Sequence, residues 1–387
     1  MWRNIASNFL TIAILILIVA AGMVAWAQKQ YTGPGPLAEA VCAKVKKGSN
    51  FRVLADDLAS RGAISSGYIF RVGADYADKT GQLKAGSYLL RPGASMAEIV
   101  DIVTGRGVST CGAEVNFRIG IAGNDVIVSD LDPTTESLKE VVKFNPAEGP
   151  VPPEYTSAME EGDARLNVTV IEGATSWQVV EGLKQAGFLS GDPGEVPAEG
   201  TLAPQRYEVE RDADRAALLG RMRDLQSATL TELWQTRAEG LPYATPEDAL
   251  IMASIVEKET GVAEERPLVA SVFLNRLAQG MKLQTDPTVI YGLTKGQGIL
   301  GRGLRQSELR GRTPYNTYVI DGLPPTPIAN PGRDAIAAAL QPATSDFLFF
   351  VADGTGGHVF AKTLAEHNDN VAKWRAIEAQ QQGGTGN

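Results

Sequence analysis

Residues Phe9 to Ala27 read FLTIAILILIVAAGMVAWA, a run without a single charge. About 20 apolar residues are what a helix needs to cross the hydrocarbon layer. In that layer a single segment satisfies its backbone groups only as a helix. Trp2 and Trp26 stand where interfacial aromatic side chains belong, and Arg3 favours a cytoplasmic N-terminus. Lys29 reduces that asymmetry. Ala25-Trp26-Ala27 would suit a signal-peptide cleavage site, but the run is longer than a usual signal core. The expectation is an uncleaved anchor over 9–27, residues 1–8 in the cytoplasm, and nearly all of the chain exported.

The remaining chain, out of 387 residues, is long enough for two or three domains with ample core. A net charge of −9 argues against a nucleic-acid partner. Cys42 and Cys111 are the only cysteines, and an oxidising compartment would let them pair. Cys42 opens the first module described below and Cys111 follows the helix that closes it, so a disulfide between them is expected. His358 and His367 are the only histidines and form no H-E-x-x-H pattern, so zinc hydrolysis is not expected.

The stretch Pro246 to Thr260 carries the strongest chemical signal. Thr245 is a good N-cap, Pro246 suits the first helical position, and Glu247 and Asp248 complement the helix dipole. Leu250, Ile251, Met252, Ala253, Ile255 and Val256 make the helix apolar nearly all round, which predicts burial. Glu257 falls on the face of Leu250 and Ala253, in the last turn, where burial and the negative end of the dipole both disfavour a charged carboxylate. A carboxyl kept protonated near neutral pH is what a general acid requires. The ordinary alternative is that Glu257 and Glu259 are solvated helix-end residues paired with Lys258.

Two stretches share a strand–turn–helix pattern. Val45 to Ser65 and Val170 to Ser190 match Gly48 with Gly173, Leu54 with Val179, Leu58 with Leu183 and Gly62 with Gly187. Asn50 is the helix cap in one, and Thr175 with Gln178 forms a capping box in the other. The similarity extends through Leu83–Tyr88 and Leu202–Tyr207 to a capped helix in each copy, Ser95 and Glu98 forming another capping box, which predicts modules over 39–106 and 166–230. The pattern around Gly48 resembles a LysM module, a family that binds N-acetylglucosamine polymers. A purely structural spacer is the alternative. Between the copies, 107–165 contains two predicted strands, Val115–Ile119 and Asp125–Val128, and reads as a solvated, acid-rich insertion.

The C-terminal part contains IVEKET, LQTDPTVIYG, TPYNTY, GLPPTPIANPG and FVADGTGGH. Together these runs resemble the MltG (YceG-like) family of endolytic murein transglycosylases, over about 245–375. The insertion at 107–165 departs from that pattern. To the N-terminal transmembrane helix, the two LysM-like α/β modules with the insertion between them and a Gln/Gly-rich tail over 377–387 expected to be disordered, the resemblance adds an α+β catalytic domain over 245–376, so an α+β protein is expected. The resemblance implies a lyase that cuts the β-1,4 bond between N-acetylmuramic acid (MurNAc) and N-acetylglucosamine (GlcNAc) in nascent strands. A 1,6-anhydro end is left and strand elongation is terminated. Glu257 falls on the family's catalytic glutamate. Tyr315 and Asn316 resemble a Tyr-Asn pair lining other transglycosylase clefts, and Gln284, Thr285, Asp286 and Asn330 are candidate sugar contacts. No cofactor and no metal are implied. The implied partners are peptidoglycan strands, the inner membrane through one helix, and peptidoglycan synthases (penicillin-binding proteins), with the catalytic part in the periplasm. Two rivals remain: a glycoside hydrolase using Asp286 as second carboxylate, and a non-enzymatic peptidoglycan-binding scaffold.

Overall fold

The computed structural model describes residues 2–383. The first helix, α1 (Trp2–Thr32), contains the apolar run and continues past it at both ends. Its stretch Phe9–Thr32 is the one helix among the described residues long and apolar enough to cross a membrane. Its apolar side chains from Phe9 to Trp26 are largely uncovered by protein.

Next come β1 (Val41–Val45), α2 (Phe51–Ser60), α3 (Gly67–Tyr76), β2 (Gly86–Leu90) and α4 (Met96–Thr104). Strands β1 and β2 pair antiparallel, Val41 opposite Leu90 and Val45 opposite Gly86. Local chemistry sets the helix starts. Asn50 accepts from the backbone of Arg52 and Val53, and Ser95 with Glu98 closes the predicted capping box. Phe51, Leu54, Leu58, Phe70, Tyr88 and Ile99 form the core between them.

The chain continues through β3 (Ala113–Ile119), β4 (Asn124–Asp132), β5 (Ser137–Phe144), α5 (Pro153–Glu161), β6 (Arg165–Val170), α6 (Ser176–Gln185), β7 (Leu189–Ser190), β8 (Arg206–Val209) and β9 (Ala213–Asp214). One five-stranded sheet has the order β5-β4-β3-β6-β8. The segment 107–165, expected as a solvated insertion, thus supplies three strands of a sheet. Its alternating residues Val115, Phe117 and Ile119 are buried. The two predicted modules also differ. Between β1 and β2 lie two α-helices, whereas α6 is the single α-helix between β6 and β8, so α3 has no counterpart. The repeat holds for strand, turn and first helix, and again for the later strand and the helix after it, capped by Ser95 in one copy and by Asp214 in the other; α3 interrupts it.

The C-terminal part comprises α7 (Arg215–Gln235), α8 (Pro246–Glu259), α9 (Arg266–Ala278), α10 (Asp286–Thr294), α11 (Gln306–Arg310), α12 (Arg333–Leu340), β10 (Phe349–Ala352), β11 (His358–Ala361) and α13 (Leu364–Gly383). Helix α8 is buried continuously from Ala249 to Val256 and packs among α9, α12 and α7. β10 and β11 form an antiparallel hairpin. Helix α13 runs on to Gly383, across the start of the tail expected to be disordered. Ala376 to Gln382 are good helix formers, which accounts for the extension. Residues 384–387 of that tail lie outside the described residues.

The chain divides into two compact units. One contains the residues up to Asn116 with Ile127–Phe144 and Pro150–Leu166. The other contains Phe117–Val126, Asn145–Gly149 and the chain from Asn167 onward. Cys42 and Cys111, both in the first unit, form a disulfide with their Cα atoms 5.7 Å apart. The backbone after α4 returns beside β2, where Thr110 and Cys111 both donate to the Ser87 carbonyl.

Candidate active site

Helix α8 ends in Glu257-Lys258-Glu259, and its geometry sends the two glutamates to different sides, since two residues are 200° of turn. Burial along α8 brings all three charged groups into the second unit rather than onto a solvated face.

The Glu257 side chain is 5% exposed. Its Oε2 accepts from the Gly332 N–H at 2.9 Å, and its Oε1 lies 3.8 Å from Arg266. Gly332 is the N-cap of α12, so the carboxylate meets the positive end of a helix. Arg266 also reaches Glu172, at 3.5 Å. Burial holds the Glu257 carboxyl above its ordinary range; Gly332 opposes this, and the charge of Glu172 adds to it. Lys258 donates to the Gly173 carbonyl at 3.3 Å, and burial draws its pKa down.

Glu259 faces other surroundings. Its carboxyl accepts from the Thr285 hydroxyl. Burial above all, with the charge of Asp286, pushes it up to about 7, against the Thr285 hydrogen bond and the charges of His358 and Arg276, which pull it down. It lines a cavity of about 400 Å³ together with Arg276, Gln284, Asp286, Tyr318 and His367, on a floor of phenylalanine and leucine side chains. Glu257 does not line this cavity.

The loop before α10 shapes one wall. Gln284 adopts a left-handed conformation, φ 51°, and donates its N–H to the Thr317 carbonyl. Thr285 donates its N–H to the Thr317 hydroxyl at 3.0 Å, and that hydroxyl also meets Thr288 at 2.9 Å. Tyr318 donates to Asp286 Oδ1 at 2.6 Å. Across the site His358 is fixed by Glu265, through its backbone N–H and through Nδ1, each at 2.7 Å.

The predicted contacts therefore separate. Gln284, Thr285 and Asp286 gather around Glu259, with Gln284 and Asp286 on the cavity wall and Thr285 buried on the carboxyl. Tyr315 lies elsewhere, with its ring 5.0 Å from Tyr291 and its hydroxyl on Thr326. Asn316 is fully buried and donates to the carbonyls of Glu308, Leu309 and Gly311. Asn330 is fully buried too. Its amide binds Ala174 and Ser176 and accepts from Leu202, and so ties the Glu172–Ala174 turn to the loop before α12. Both asparagines have their polar groups engaged by the protein, Asn316 with the loop just before it and Asn330 with the two loops it joins.

Sequence reasoning passed over Arg276, Tyr318 and His367, and weighed Glu259 only as a helix-end charge. Tyr318 stood in the quoted TPYNTY run. The other two carried no local signal, because only the fold brings α9 and α13 to one cavity. Among the described residues no group of His, Cys, Asp and Glu side chains could hold a metal ion.

Residues 143–373 match the model of the YceG-like family. An endolytic murein transglycosylase of Bacillus subtilis (strain 168) is 45% identical over 125 residues, which is 32% of this chain and 34% of that protein. One from Streptococcus pneumoniae serotype 2 is 28% identical over 339 residues, 85% of this chain and 57% of that protein. The chain thus spans between a third and somewhat over half of these relatives' length. A crystal structure of a putative yceG-like protein from Listeria monocytogenes aligns over 86% of this chain and 99% of that one, with 25% identity and a TM-score of 0.45. The family match takes in α8, the loop before α10 and the β10–β11 hairpin, every element that builds the cavity among them, and the chain belongs to the YceG-like family.

Proposed function

We propose that this chain is an endolytic peptidoglycan lytic transglycosylase, with Glu259 as its acid and base. The observation that carries the reading is a carboxyl with a pKa of about 7 on the wall of a cavity with both polar and aromatic faces. A volume of about 400 Å³ falls in the range of small-molecule sites. The relatives' names supply the substrate class.

The proposed reaction needs one carboxyl. Protonated Glu259 donates to the glycosidic oxygen as the bond from C1 of MurNAc to that oxygen breaks. The leaving sugar departs with the proton. The resulting Glu259 carboxylate then takes the proton of the same MurNAc's C6 hydroxyl as its oxygen bonds to C1. No water enters, and Glu259 ends protonated. The Thr285 hydroxyl orients the carboxyl throughout. A pKa near the working pH serves both directions of transfer. Glu257, which the sequence favoured, we read as a positioning group, because its carboxylate is held by Gly332 and Arg266 away from the cavity.

The rest of the reading follows the family resemblance. Helix α1 anchors the chain in the inner membrane, with the catalytic unit in the periplasm. The module over 39–106 is LysM-like and holds glycan. Cleavage of nascent strands beside the membrane terminates their elongation, in company with peptidoglycan synthases.

A hydrolase is the second reading, favoured by Asp286 on the same cavity wall, since glycoside hydrolases use two carboxyls. One experiment separates the two. The chain is incubated with uncrosslinked glycan strands and the products are weighed by mass spectrometry. Anhydro ends, with fragment masses summing to the substrate's, support the transglycosylase. Fragments heavier by one water support the hydrolase, and intact strands refute both.

A further inference from the structure

Arg276 is the buried cation of the cavity, 8% exposed. Its Nε donates to the Leu348 carbonyl at 2.6 Å, and its Nη1 donates to the carbonyls of Leu283 at 2.7 Å and Lys282 at 3.3 Å. Its guanidinium carbon lies 5.2 Å from the centre of the Phe349 ring, and the other contact of that ring is the stacked His367 imidazole, also at 5.2 Å. The fork is thereby fixed on three sides. Among the described residues Nη2 has no hydrogen-bond partner, and no carboxylate lies at ion-pairing distance of Arg276. A buried guanidinium is normally paired, because withdrawing an unpaired charge from water is costly. Here carbonyls, a ring and, when it is ionised, the Glu259 carboxyl compensate in part, and the Nη2 edge is left for something that enters.

We infer that the free edge of Arg276 receives a carboxyl-derived oxygen of the substrate's acidic substituent, and so makes the cavity selective for muramic acid over plain N-acetylglucosamine polymers. MurNAc differs from GlcNAc by a three-carbon acid on its ring. That acid is a carboxylate in bare strands and an amide carbonyl where a peptide is attached, and the peptide carries carboxylates of its own. Arginine's planar fork suits either kind of oxygen. Glu259 acts on the bond at C1 of the same sugar in the reading above. A substituent on that ring therefore lies within one sugar's width of the acid. Arg276 is a specificity residue here and takes no part in proton transfer. The inference rests on the proposed substrate class and, for where the substituent falls, on Glu259 as the acid.

Binding tests it without cleavage. Glu259→Gln protein is titrated calorimetrically with three tetrasaccharides: GlcNAc only, alternating GlcNAc–MurNAc with free acid groups, and the same with peptides attached. A hydrogen bond to a charged group is worth roughly 1.5–3 kcal/mol, or about 10- to 100-fold in affinity. One or both muramyl ligands should bind tighter than the GlcNAc ligand by that factor. The ligand preferred names the source of the oxygen: bare acid over peptide-bearing for the ring substituent, the reverse for the peptide. Adding Arg276→Lys should collapse the preference to within about twofold while GlcNAc-only binding holds. Equal binding of all three by the protein that keeps Arg276 overturns the inference, whether or not the lysine variant folds. So does a preference that survives in a folded lysine variant. Wild-type chain that cleaves nothing, beside an Arg276-dependent preference, would sink the proposed reaction and leave this inference standing.

Discussion

Glu257 and Glu259 stand two residues apart, and their side-chain surroundings distinguish them. Glu259→Gln keeps size and one acceptor but removes the transferable proton, so cleavage should fall by about 10²–10⁴-fold or more with the fold kept. Glu257→Gln should cost activity far less and stability more, on the order of 1–3 kcal/mol for a weakened charged hydrogen bond, read from denaturant unfolding. The reverse ranking in initial rates would return the acid's role to Glu257. Turnover should decline as pH rises through about 7, because the acid must be protonated. Stability should follow the same sign. The folded carboxyl sits above its ordinary 4.5, so its contribution is full below that value and is lost as pH rises through about 7. Wild type should therefore lose stability across this window relative to Glu259→Gln, as melting curves at several pH values would show; parallel curves would refute the shift. The sequence made Glu257 visible as a buried-helix carboxyl and left Glu259 as an ordinary helix-end charge. It did not show which side of α8 would meet the α12 N-terminus and Arg266 and which the cavity, because both depend on residues far away in the chain.

At the level of elements, what was legible was local. Thr245, Asn50, the Ser95–Glu98 pair and the Thr175–Gln178 pair all cap the helices they predicted, since a cap involves neighbours within four residues. The buried face of α8 was equally plain from composition. Strand partners were not, and so the segment 107–165 passed for an insertion until β3 was seen beside β6. That sheet carries α6 at close range. A Cβ on Gly182 would stand 2.8 Å from Cγ1 of the buried Ile119. Gly182→Ala gains helix propensity of up to about 1 kcal/mol but overpacks the core by about 1–3 kcal/mol. A net loss of stability is expected. Ile119→Ala opens space at the same point, so the double variant should be less destabilised than the sum of the singles by about 1 kcal/mol or more. Strict additivity in urea melts would show that α6 does not rest on Ile119.

For the whole chain, the two units differ in how they are secured. The disulfide spans 69 residues, all within the first unit, and in the chain-entropy model such a loop contributes about 4 kcal/mol. Replacing both cysteines with serine should lower the unfolding temperature of the first unit, with the second unit's transition and any cleavage rate unchanged. Differential scanning calorimetry checks this, and a shift in the second transition would contradict it. The second unit contains no cysteine at all, because Cys42 and Cys111 are the chain's only two. No covalent cross-link is made in its folding, whereas the first unit is completed by a chemical reaction with an oxidant. The two halves therefore mature on different clocks. A chain held under reducing conditions would carry a finished second unit and a first unit left slack and open to proteases, and oxidation alone would tighten it.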